Sequence, residues 1–141
     1  MTELSKRYDR LIPFVEEDGF TLVVLEGERV IFSSEESGLT PLLTFLGSVN
    51  LDYTDFTAVD KVVGGAAARL MVFAGVGEVY TPLISEVAVE LLKCRDVPFY
   101  SETQVEAIVN PSSTDGCPLE KLAREVEDDS EFYYLVKRRT S

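Results

Sequence analysis

Apolar residues change period along the chain, and each change marks an expected element. Leu4, Tyr8, Leu11, Ile12 and Val15 fall at helical spacing, which predicts an amphipathic helix over residues 3–15 with Pro13 near its end. Phe20–Leu25 and Arg29–Ser33 read as strand runs, and the tight Glu26-Gly27-Glu28 connection between them predicts a β-hairpin. Thr40 then resembles an N-cap and Pro41 a first helical position, with Leu42, Leu43, Phe45 and Leu46 on the apolar side of a short helix. Residues 47–56 show no period, because Asn50, Asp52 and Asp55 interrupt it.

From Ala58 onward the pattern alternates. Val59–Val63 reads as a strand, Gly64 and Gly65 as a turn, and Ala66–Ala74 as a small-residue helix ended by Gly75 and Gly77. Glu78–Thr81 follows as a short strand. Ser85 caps a helix carrying Val87, Ala88, Leu91 and Leu92, and Val97–Ser101 supplies another strand. This β-α-β-α-β order predicts an α/β fold with parallel strands. Beyond it, a short helix is expected over 103–109, a second on the stripe Leu119, Leu122, Ala123 and Val126, and a terminal strand over Phe132–Val136. The length of 141 residues suits one domain, 1–141, with a variable N-terminal helix and a C-terminal tail.

Composition narrows the chemistry. The chain has no histidine and two cysteines, Cys94 and Cys117, so His-based triads, Cys–His pairs and a four-ligand Cys/His zinc site are excluded within it. A net charge of −12 sets a repulsive surface against a nucleic-acid backbone. The basic run Lys137-Arg138-Arg139 reads as a solvated tail. Neither a leader-like segment nor a membrane-length apolar run is evident, and a cytoplasmic location is the expectation.

A site is expected where strand-to-helix connections gather, at the carboxyl ends of the parallel strands. The helix starts at Gly64-Gly65-Ala66, Thr81–Ser85 and Gly116-Cys117-Pro118 could offer N–H groups to a polar or anionic ligand. Gly64 and Gly65 are thus candidate ligand contacts, or simply small residues that let a helix pack closely on the sheet. Thr81 and Ser85 are candidate ligand contacts or ordinary capping groups. Cys117, just before Pro118, is a candidate nucleophile whose thiolate a helix start would favour, although Asp115 and Glu120 oppose it; packing is the alternative. Asp60 is a candidate base if burial raises its pKa, or an ordinary strand-start carboxylate. Cys94 reads as inert, and Arg69 as a surface salt-bridging residue.

The ordered combination Asp60-Lys61-Val62-Val63-Gly64-Gly65-Ala66-Ala67-Ala68, Val79-Tyr80-Thr81-Pro82-Leu83-Ile84-Ser85 and Gly116-Cys117-Pro118-Leu119-Glu120 resembles the DUF1893 family, over roughly Thr21 to Ala123. That resemblance implies a three-layer α/β/α fold of cytidine deaminase type with a mixed central sheet. Zinc deaminases place a His or Cys with a Glu at one helix start and Pro-Cys-x-x-Cys at the next. Here those starts read Gly64-Gly65-Ala66-Ala67 and Pro82-Leu83-Ile84-Ser85-Glu86, so the zinc centre and its mechanism are not expected.

No cofactor is implied. Three functions remain in play: binding of a small polar or anionic ligand at the Gly64, Thr81 and Cys117 connections; a metal-independent enzyme using Cys117 with Asp60; and a structural or protein-interaction domain, for which a homo-oligomer is one form.

Overall fold

Among the described residues, five strands form one mixed sheet in the order β2-β1-β3-β4-β5. The computed structural model describes residues 2–48, 55–106 and 125–140, without the side chains of 139 and 140. The first strand, β1 (Leu22–Glu26), pairs antiparallel with β2 (Arg29–Ser34) and, on its other edge, antiparallel with β3 (Phe56–Asp60). The hairpin turns at Gly27, whose φ of 64° is the left-handed conformation that glycine adopts without a Cβ clash. From β3 the strands run parallel, through β4 (Val76–Ser85) to β5 (Phe99–Val105).

Helices cover both faces of the sheet. On one side lie α1 (Glu3–Leu11) and α2 (Pro13–Glu16), divided where Pro13 cannot donate an N–H. Their Tyr8, Leu11, Ile12 and Val15 pack on Val23, Leu25, Val59 and Tyr80. On the other side lie α3 (Thr40–Ser48), α4 (Gly65–Phe73), α5 (Glu86–Cys94) and α6 (Asp129–Thr140). They share a larger core with the alternate residues of the same strands, including Leu22, Val24, Ala58 and Val79. The period of two along each strand thus sends Val23 to one layer and Val24 to the other. The result is the expected three-layer α/β/α architecture with a mixed sheet.

Several expected elements are displaced. The third strand begins at Phe56 rather than Val59 and ends at Asp60, because Phe56 is buried at 3% exposure and can join the ladder. Strand β4 does not stop at Thr81. It continues to Ser85, passing Pro82, where pairing with β5 resumes at Leu83 and Ile84. Strand β5 likewise runs to Val105 and replaces the start of the helix expected over 103–109; residues 107–109 lie outside the described ones.

The terminal strand expected over Phe132–Val136 is a helix. Phe132 and Val136, four residues apart, are both at 0% exposure against the α4 side of the core. Asp128 accepts from the Glu131 N–H at 2.9 Å and starts that helix. Burial of one such aromatic stabilises by about 1.5–3 kcal/mol, enough to override the strand preference of an aromatic run. Lys137 and Arg138 are exposed as expected, but on α6 rather than in a tail.

Candidate functional site

The carboxyl ends of β3 and β4 are tied together beyond the regular ladder. After Asp60 the chain bends through Lys61 and Val62, and Val63 then forms a parallel bridge with Ile84. The Val63 N–H donates to the Leu83 carbonyl at 2.9 Å, and the Ser85 N–H donates to the Val63 carbonyl at 3.0 Å. Gly64 and Ser85 each follow a bridge residue and are the N-caps of α4 and α5. Two helix starts therefore stand side by side.

Their capping differs. The Ser85 hydroxyl, fully buried, accepts from the Ala88 N–H at 3.2 Å. Gly64, in extended backbone, brings no side-chain acceptor to the first turn of α4. Behind it, Gly65, Ala66, Ala67 and Ala68 are all buried, the alanines within the main core, so small side chains serve close helix packing here.

Asp60 closes β3, opposite Leu22 of β1, rather than starting the strand as its sequence context suggested. It lies on the α4 face with Ala58 and Leu22, and is half-buried. Its Oδ1 accepts from the Val62 N–H at a long 3.4 Å. Burial pushes its pKa from 3.8 up to about 7, against the lowering effect of the Val62 and Lys61 backbone donors. A carboxyl so placed exchanges a proton near neutral pH and can face either a donor or an acceptor.

Thr81 follows the paired Val59 and Tyr80 by one residue, as Asp60 does, and is itself paired with Ser101 on β5. Asp60, Thr81 and Ser101 thus form a polar row across three parallel strands, on one face. The Thr81 hydroxyl is occupied by the backbone two residues on, donating to the Leu83 carbonyl at 3.1 Å and accepting the Leu83 N–H at 3.3 Å. Ser101, half-buried, escaped the sequence reading; the alternation of Phe99, Ser101 and Thr103 against Tyr100 and Glu102 was the available signal.

The other candidates separate from this edge. Cys117 lies outside the described residues, as does the Gly116-Cys117-Pro118 connection. Cys94 is exposed at the last position of α5. Arg69 is not a surface group: at 4% exposure, its Nε lies 3.1 Å from Asp129 Oδ1 and its guanidinium 4.9 Å from the Phe132 ring centre. Asp129 also receives Arg95 at 3.0 Å, which joins α4, the end of α5 and α6. Among the described residues, no group of three or more His, Cys, Asp or Glu side chains could hold a metal ion, and no helix is long and apolar enough to cross a membrane.

The family whose description is "TM1506: Domain of unknown function (DUF1893)" matches residues 10–139. A solved DUF1893 family protein (TM1506) from Thermotoga maritima is similar in fold, with a TM-score of 0.78 and 24% sequence identity. That similarity covers 99% of this chain and 91% of the other. No curated protein matches significantly.

Proposed function

The chain belongs to the DUF1893 family, and we propose that it binds a small polar ligand at the carboxyl edge of β3 and β4. The observation that carries this reading is geometric: Asp60 closes β3, half-buried, on the edge where the Val63–Ile84 bridge brings the starts of α4 and α5 together, and burial there pushes its pKa up to about 7. The partial positive charge of an N-terminal turn attracts an acceptor, while Asp60 takes a donor. An amide-type edge, which presents one of each, suits both. A fully anionic ligand suits the site less above neutral pH, where the Asp60 charge opposes it.

We read the scaffold as cytidine deaminase-like without its zinc centre. The hairpin leading into a parallel β-α-β-α-β unit supports that reading. In such a scaffold the metal ligands would stand at the starts of α4 and α5, where this chain carries Gly64-Gly65 and Ser85-Glu86. With no histidine in the sequence, this favours binding over zinc-dependent deamination.

Calorimetry and thermal shift against carboxamides, free bases and nucleosides test the proposal. Saturable binding that weakens by about tenfold in Asp60→Asn, roughly the loss of a single good hydrogen bond, is the expected result. Absence of binding across these compounds, or equal affinity in the variant, would overturn it.

A further inference from the structure

At one edge of the sheet, β2 has β1 as its only neighbour among the described residues. The hairpin closes on the Glu26–Arg29 pair, whose backbone groups face each other, so those of the next residue, Val30, point away from β1. At the other end the Ser34 carbonyl accepts from the Thr21 N–H at 2.8 Å and points inward, which turns the N–H and carbonyl of Ser33 outward. Val30 and Ser33 also share a face, because they pair with Leu25 and Val23 of the α1 layer. A bulge at Ile31, which the ladder steps over, gives them this match at a spacing of three. Both are exposed, the apolar Val30 at 43%. Arg29 and Ser34 pair with Glu26 and Leu22 on the opposite face.

We propose that this edge pairs antiparallel with β2 of a second copy of the chain, about a two-fold axis between Ile31 and Phe32. Read backwards, the strand matches itself. Val30 falls opposite Ser33 of the second copy, on one face and with outward backbone groups, and each such pair exchanges two main-chain hydrogen bonds. Arg29 falls opposite Ser34 on the other face. Charge selects the same direction. Arg29 is exposed and makes no ion pair among the described residues, and the exposed Glu36 lies two residues beyond Ser34, within diagonal reach across the pair. The Thr21 hydroxyl donates to the Glu36 carbonyl and holds that end in place. Glu28, which meets Glu35 in this register, is already paired with Arg10 at 3.2 Å. A parallel arrangement would set Arg29 against Arg29. Bulges commonly blunt a sheet edge, but this one lies at the axis and meets its own copy. The net charge of −12 repels copies at long range, and physiological salt screens that repulsion beyond about 8 Å.

Sedimentation velocity of the full chain at physiological ionic strength, across a concentration series, tests this directly. The expected result is a reversible dimer of micromolar affinity, as suits a pairing that buries less than about 1,200 Å². Val30→Lys and Arg29→Glu, both at exposed positions, should each weaken it by about tenfold, with thermal unfolding showing that the variants remain folded. Adding Glu36→Arg to Arg29→Glu should restore association, since the two charges then change places. A chain that stays monomeric throughout, a dimer indifferent to Val30→Lys, or a charge exchange without rescue would overturn the proposal.

Discussion

Replacing Asp60 with Asn removes a titrating group while keeping its shape and its acceptor for the Val62 N–H. In the unfolded chain Asp60 holds its proton up to the ordinary 3.8, and in the folded protein up to about 7. Between those values the native state binds a proton that the unfolded state lacks, so this group makes stability fall as pH rises through the window. Below the window both states are neutral at this position, and the cost of the buried charge is absent. At about 1.36 kcal/mol per pH unit the full displacement sets a ceiling of about 4 kcal/mol. Asp60 retains some solvent contact, which screens its charge and brings the expected gain for Asp60→Asn to about 2 kcal/mol at about pH 8.5. Urea unfolding of both proteins from about pH 4 to 8.5 measures it, and taking their difference cancels the other carboxylates. A gain that grows with pH supports the argument. A pH-independent difference, or a variant less stable at high pH, would refute the claim that burial dominates the electrostatics at this edge.

The remaining expectations concern the frame around the site. Asp129→Ala removes the carboxylate that pairs with the buried Arg69 guanidinium and with Arg95, and should cost about 3 kcal/mol by chemical denaturation. Burial raises the Asp129 pKa, but hydrogen bonds from Arg95 and Arg69 outweigh it and hold the carboxyl below 3.8; its contribution is therefore present above that value and lost as pH falls through the lower one. Ser85→Ala removes the cap of α5 and should cost about 1 kcal/mol in the same assay, with Ser85→Asp retaining an acceptor. Ala68→Leu overfills the α4–sheet contact at a residue with 0% exposure and should cost about 1–3 kcal/mol, visible as a lowered Tm.

Much of the architecture was legible because local pattern and burial agree. The hairpin around Gly27 was placed within two residues at each strand end, and the Ser85 cap and the Gly75 stop of α4 were placed as expected. Failures arose where tertiary contact overrode local signals. Thr81–Ser85 read as a turn into a helix, yet pairing with β5 carries β4 on to Ser85. The apolar and aromatic run Phe132–Val136 suggested a strand, yet the spacing of Phe132 and Val136 against α4 makes a helix. The geometry of the candidate site was half legible. Asp60, Gly64 and Ser85 were named from their positions around turns, and the fold brings them to one edge. Ser101 joins the row of Asp60 and Thr81 through strand register: alternation along β5 sets its face, but only the pairing sets its neighbours. Arg69 shows the converse: charge suggested the surface, while Asp129, sixty residues away in sequence, lets it lie inside.

The Val63–Ile84 bridge has a consequence for how occupancy at this edge would be felt. The amide protons of Val63 and Ser85 are held by carbonyls on opposite sides of the bridge, so neither strand end can open without freeing both. Their exchange with solvent is a joint event. A ligand seated at either helix start would slow the two amides together, making them paired reporters that require no knowledge of the ligand's identity.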